Sequence, residues 1–331
     1  MRLGTKIALS SACLSLVCIA AIVVSLAVGT ARVGFPDVVR ALLVPGGVPP
    51  EVATIVLVIR LPRVLMALVA GGALALSGVV FQAILRNPLA DPFILGVSSG
   101  AALGTVIGSL VGWLSPVWGD RLFAFIGALV TILIVFRTAR LKERLYPNTM
   151  LLVGVIINSF FSAAIMCIIS LAKADRIQSI FFWLMGDLSL VSLGSVALVA
   201  AVTLAASVVI YYYARPMNLF LFGEESAASL GVDVERTKRT LFVVASIVTA
   251  AVVSSVGVIG FVGLIIPHMV RMVTGPDHRV LIPASILLGG AFLVVSDTAA
   301  RTIVSPLELP VGVLTALLGS PFFIYLLRRS L

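Results

Sequence analysis

Two histidines (His268 and His278), three cysteines (Cys13, Cys18 and Cys167) and fourteen carboxylates are the whole stock from which this chain could build a metal centre, a nucleophile or a proton relay. The cysteines sit in apolar runs, with no CxxC spacing and no histidine nearby, and read as core or lipid-facing residues. There is no HExxH and no aspartate-rich diphosphate motif, and both histidines adjoin one short polar loop. Asp297 is the one carboxylate well inside an apolar run, near its end. An intramembrane enzyme, or a carrier coupled to protons or sodium, needs ionisable groups at mid-membrane depth. The chain supplies almost none, which argues against catalysis and against the ion-coupled alternative. Its four lysines, Lys6, Lys142, Lys173 and Lys238, stand in no GxxxxGK[ST] turn, so any ATP-driven step belongs to another polypeptide.

The elements that must position these few groups are membrane helices. Of 331 residues, 60% are hydrophobic and 11% charged, with a mean hydropathy of +1.20. Apolar runs long enough to cross the hydrocarbon core recur between short polar breaks. Ten spans are expected, at about 7–29, 64–85, 94–114, 122–136, 149–171, 192–213, 241–258, 261–273, 280–299 and 311–327, in one domain covering residues 1–331. The first run follows Arg2 and Lys6 but exceeds the apolar core of a signal peptide, so it is a span. The fold class is therefore all-α and polytopic. A net charge of +9 does not signal nucleic acid, because the basic residues flank spans. With residue 1 in the cytoplasm, fifteen of the twenty-three Lys and Arg fall inside, among them Arg2, Lys6, Lys142 and Arg215. Eight fall outside: Arg32, Arg40, Arg60, Arg63, Arg121, Lys173, Arg176 and Arg301. The positive-inside rule then places both termini in the cytoplasm.

Three interruptions stand out. Gly257-Val-Ile-Gly260-Phe-Val-Gly263 lacks the strand and basic partner of a nucleotide loop and reads as a helix break. Residues 173–188 hold a helix too short to cross, expected at the outer mouth. Arg215 to Arg239 mixes charge with Leu219, Phe220, Phe222 and Leu230; within it Glu224 to Leu230 favours a short helix stopped by Gly231. Composition alone allows either a solvated loop or a helix that a partner grips.

The order and spacing of several blocks resemble the type II ABC importer permeases for iron chelates, haem and cobalamin. They are Arg60-Leu-Pro-Arg63; Gln82 with Asn87-Pro-Leu-Ala90 and Gly96-Val-Ser-Ser-Gly-Ala101; Trp183-Leu-Met-Gly186; and Arg215-Pro-Met-Asn218 with Gly223-Glu224 through Ala228-Ser-Leu-Gly231. Phe261-Val-Gly-Leu264, Pro267-His268, Arg271, Asp277-His-Arg279, Asp297, Ala300-Arg301 and Glu308-Leu-Pro-Val-Gly312 complete the series. The resemblance implies a homodimer of ten-helix subunits in the bacterial inner membrane. It also implies two ATPase subunits that carry ATP and magnesium, and a periplasmic or lipid-anchored binding protein; this chain itself holds no cofactor. By the same resemblance Arg60, Arg63 and Arg301 face outward and dock the binding protein. A coupling helix at about 219–231, with Gly223, Glu224, Glu225, Ala228, Leu230 and Gly231, meets the ATPase. Asn87, Leu89 and Asn148 gate the cytoplasmic side, although Asn87-Pro88 also suits a simple turn, and Arg301 also suits an intrahelical pair with Asp297. Asn158, Ser159 and Ser162 line the pathway. The histidines are expected to stabilise loops rather than bind metal. The cargo implied is an iron chelate, a ferric siderophore or haem, the family's commoner loads, with cobalamin as the alternative.

Overall fold

The computed structural model describes residues 3–31, 33–44, 46–111, 116–141, 144–171 and 174–330. Arg2, Arg32, Lys142 and Lys173, used above as topology signals, lie outside them. The chain begins with α1 (Leu3–Ala27), α2 (Phe35–Leu43), α3 (Pro50–Ala53), a π-helical segment (Thr54–Arg60), α4 (Leu61–Ile84), a 3-10 turn (Pro92–Leu95), α5 (Val97–Val111) and α6 (Pro116–Ala139). A two-residue hairpin follows, β1 (Arg140–Leu141) antiparallel to β2 (Arg144–Leu145). Next come α7 (Pro147–Leu171), α8 (Ala174–Leu184), α9 (Leu193–Tyr212), α10 (Ala214–Phe220) and α11 (Glu224–Ser229). The chain finishes with α12 (Val234–Val256), α13 (Val262–Thr274), α14 (His278–Thr302) and α15 (Val311–Ser330).

Each of the ten expected apolar runs holds one helix: α1, α4, α5, α6, α7, α9, α12, α13, α14 and α15. Among the described residues, seven helices are long and apolar enough to cross a membrane, while those in 97–111, 262–274 and 311–325 are shorter. Local chemistry sets the helix starts: Asp233 and Asp277 accept from the backbone N–H of Arg236 and Arg279, and Ser192 with Ser195 forms a capping box.

The span expected at 64–85 proves longer, because helix continues back from Ile84 to Pro50. Pro62 has no N–H to donate. The turn before it opens to π pitch, with Leu61 N bonded to Val56 O five residues back. Arg60-Leu-Pro-Arg63 therefore lies within a helix rather than at its edge.

α4 is the central pillar, buried at every residue from Ala70 to Ile84. Glycines let its neighbours approach to backbone contact: a Cβ on Gly71 would lie 2.2 Å from Gly289 O of α14, and one on Gly78 1.9 Å from Gly263 O of α13. Gly263 abuts Leu74 O and Pro92, so α13 starts deep in the bundle, beside the middle of α4. The expected break between α12 and α13 is present as residues 257–261, with Gly257 and Phe261 at positive φ. Pro267 removes the N–H that would bond Gly263 O. Gln82 of α4 supplies the replacement, its Nε2 donating to Gly263 O and Leu264 O, while Arg271 Nη2 donates to Gln82 Oε1 at 3.0 Å. A bend in one helix is thus satisfied by an amide on another.

Candidate functional site

Two polar constellations lie at opposite ends of the bundle. The first gathers the C-terminal ends of α1 and α14, the π turn and the loop after α14. Arg63 Nε meets both oxygens of Asp297 at 3.0 and 3.1 Å, Arg301 Nε meets Asp297 Oδ2 at 3.1 Å, and Arg63 Nη1 meets Glu308 Oε2 at 2.7 Å. Arg60 donates to the carbonyls of Leu26, Ala27 and Ala31, where α1 leaves carbonyls unpaired at its C-terminus. Arg301 Nη2 adds Ser25 Oγ at 2.8 Å. The three arginines were expected to face outward. Instead Arg60, Arg63 and Arg301 are 4%, 7% and 4% exposed. The intrahelical alternative for Arg301 is present, and Asp297 is the shared counter-charge of two guanidinium groups, hydrogen-bonded to Arg63 and in ion-pair contact with Arg301 Nε. Charges at this depth require such partners, and the chain provides them internally. Glu308 is the member of the cluster that reaches the surface, its side chain 40% exposed.

The second constellation is at the end holding the start of α1, the hairpin, α10, α11 and the α13–α14 turn. Lys6 Nζ donates to Thr274 O, tying α1 to α13. Asn218 of α10 bridges to the start of α14: its Nδ2 donates to Asp277 Oδ1 at 2.8 Å, and its Oδ1 accepts from His278 N at 2.8 Å and faces His278 Nδ1 at 2.7 Å. Because that oxygen can only accept, Nδ1 carries the proton and Nε2 is bare. Arg279 also pairs with Asp277 at 2.6 Å and, as the largest influence, holds its carboxyl well below the usual carboxylate range. His278 therefore secures a loop, as expected. Among the described residues no cluster of three or more His, Cys, Asp or Glu could hold a metal. Asn218→Ala strands the backbone N–H and Nδ1 of His278 and is expected to cost roughly 1–2 kcal/mol, read as a lower unfolding midpoint in detergent.

The expected coupling helix is α11. Gly223 and Gly231 flank it at φ +103° and +87°, conformations that favour glycine, and Ala227 is buried against the body. Glu225 and Ala228 are exposed, with Phe222 74% and Leu230 67% exposed. Glu224 instead turns inward to Lys238 of α12, with Oε1 2.6 Å from Nζ. Lys238 entered the sequence analysis only as a lysine outside any nucleotide-binding turn. Fourteen residues separate the pair in sequence and no periodicity joins them, and Lys238 lies in the polar run Glu235-Arg-Thr-Lys-Arg-Thr240, so nothing in the sequence singled it out.

Asn87 Oδ1 accepts from Leu89 N at 2.9 Å, so the turn-forming alternative is present. Both residues are half-buried, while Asn148 is exposed near the start of α7. The chain after them re-enters the bundle, since a Cβ on Gly154 of α7 would lie 2.4 Å from Ile94 O. Asn158, Ser159 and Ser162 form an exposed stripe in the middle of α7, among Val155, Phe160 and Met166.

A multi-span helical bundle with a broken helix, a re-entrant turn and an exposed short helix at one end has the architecture of a membrane transport subunit. The model of the FecCD transport family matches residues 17–329. The chain belongs to this family of ABC importer permeases. It is 48% identical over 282 residues to the cobalamin import system permease protein BtuC of Halobacterium salinarum, covering 85% of this chain and 75% of that one. It is 39% identical to the hemin transport system permease protein HmuU of Yersinia pestis, covering 82% of each. A solved structure described as a metal-chelate type ABC transporter in an inward-facing conformation superposes with a TM-score of 0.84 at 32% identity, over 96% of this chain and 98% of that one. The type II importer permease fold follows.

Proposed function

We propose that two copies of this chain form the membrane channel of an importer in the bacterial inner membrane, driven by two separate ATPase subunits and fed by an external binding protein. The observation that carries this is the presentation of α11. A six-residue helix is packed onto the bundle end through Ala227, with two large apolar side chains, Phe222 and Leu230, exposed beside it. Large apolar groups next to charged Glu225 suit a soluble partner better than lipid. By the positive-inside count this end, with both termini, faces the cytoplasm.

The exposed stripe of Asn158, Ser159 and Ser162 supports a pathway along α7, because polar side chains at mid-membrane depth favour a water-filled lining over lipid. Asn87, Leu89 and Asn148 form the cytoplasmic constriction beneath it. The binding protein docks at the opposite end. There the buried Arg60, Arg63 and Arg301 fix the shape of the surface from within, and Glu308 is their exposed companion. The cargo is a large metal chelate; the 48% identity to a cobalamin permease favours cobalamin, and the 39% identity to a hemin permease makes haem the second choice.

Co-purification with candidate ATPases tests the function. The wild-type chain should retain its ATPase. Phe222→Asp and Leu230→Asp should each weaken binding about 30-fold, the cost of roughly 2 kcal/mol lost at an interface hot spot, without changing the unfolding midpoint. Failure of the wild-type chain to hold any ATPase encoded with it overturns the function. Uptake of labelled cobalamin, haemin and ferric siderophore by cells with and without the chain then identifies the cargo.

A further inference from the structure

We propose that Lys238 and Glu224 form a latch that passes movement of α11 into α12, which makes both of them positioning residues of the transport cycle. The latch presupposes the permease function above. Its two halves differ in setting. The Lys238 side chain is 4% exposed, anchored in the first turns of α12, whereas Glu224 is 34% exposed and rides on α11. An ammonium buried so deeply needs its counter-charge, so this pair is far less replaceable by water than a surface ion pair.

The surrounding backbone suits a latch. Gly223 and Gly231 flank α11 in left-handed conformations, and a Cβ at either would meet nothing within 4 Å. Both flanks can swivel while the first residue of the helix stays tied. α12 is an unbroken helix of 23 residues, about 34 Å long, so a displacement of its first turns reaches its far end. That far end is the break at residues 257–261. There Gly257 lies against Trp183 O, Phe261 holds a left-handed φ of 69°, and Gly319 of α15 packs against the Phe261 ring. Motion entering at Glu224 therefore arrives where α12, α13 and α15 meet. The separate Asn218 bridge ties α10 to α14 and does not include α11.

The test uses the whole assembly, this chain with its ATPase and binding protein in proteoliposomes, supplied with labelled cobalamin and, in parallel, labelled haemin. Import and ATP hydrolysis are read in the same vesicles. In assemblies carrying Glu224→Gln or Lys238→Met, import per ATP hydrolysed should fall about 5- to 150-fold, the span of ordinary coupling energies. Lys238→Arg should keep most of the ratio, and the reversed pair E224K/K238E should restore it. Glu224→Gln, at a partly exposed site, carries the test if Lys238→Met fails to fold. An unchanged import ratio in Glu224→Gln overturns the latch and leaves the permease function standing. A reduced ratio that the reversed pair does not rescue also overturns it, because the loss then lies in the contact of Glu224 with the ATPase. A wild-type assembly that neither binds the ATPase nor imports either probe overturns the permease function and the latch together.

Discussion

Asp297→Ala should destabilise the detergent-solubilised chain by about 3–5 kcal/mol, among the largest effects of any side-chain truncation in the bundle. The carboxylate is fully buried and is shared between two guanidinium groups that are themselves buried, Arg63 and Arg301, with Arg60 close by. Its removal leaves two buried positive charges facing each other with the partly exposed Glu308, paired to Arg63, as the remaining counter-ion. Asp297→Asn keeps the shape and one set of acceptor lone pairs, so its cost should be smaller but of the same sign. Unfolding midpoints of both variants against wild type give the measurement. An Asp297→Ala midpoint within a degree or two of wild type would show that water reaches the cluster and that these arginines can turn outward after all. The exposed docking role would then regain its support.

Gly78→Ala should be equally damaging for a purely steric reason. The added Cβ would meet Gly263 O at 1.9 Å, Gly263 C at 2.6 Å and Gly263 Cα at 2.8 Å, all backbone atoms that no rotamer change can move. α4 and α13 must separate, which strains the Gln82 bridge to Gly263 and Leu264 as well. At least the roughly 3 kcal/mol at the top of the overpacking range is expected, with loss of folded yield in expression. Gly260→Ala is the matched control. A Cβ there meets nothing within 4 Å, so its midpoint should stay near wild type. Equal behaviour of the two variants would sink the close-packing account of the α4–α13 interface.

Much of the fold was legible in the sequence because lipid imposes a simple rule: each crossing needs a continuous apolar run with its backbone bonds satisfied internally. A helix in each of the ten apolar runs, the break at Gly257, the short helix before Met185 and the helix between Gly223 and Gly231 all follow from run length, glycine placement and breaks in polarity. Family membership followed from the order of blocks such as Asn87-Pro-Leu-Ala90 and Asp277-His-Arg279. The start of the second span was misplaced because Pro62 reads as a boundary, and no periodicity announces that a π turn can carry the helix past it.

What sequence could not settle was which charged groups face one another. Arg63 and Asp297 are 234 residues apart, Asn218 and His278 60 apart, and each residue type is equally at home on a surface. A pattern along one chain fixes which face of a helix is apolar. It does not fix which partner that face meets, because that depends on how closely neighbouring backbones approach, here through Gly71, Gly78, Gly263 and Gly289. The sequence by itself determined an all-α, multi-span permease of the FecCD transport family. Only the tertiary structure decided that the arginines at one end turn inward to Asp297, and that Glu224 at the other end turns inward to Lys238. The physical reason is the same in both places: a charge drawn below the surface by close helix packing is stable only against a counter-charge, and packing alone chooses which one is within reach.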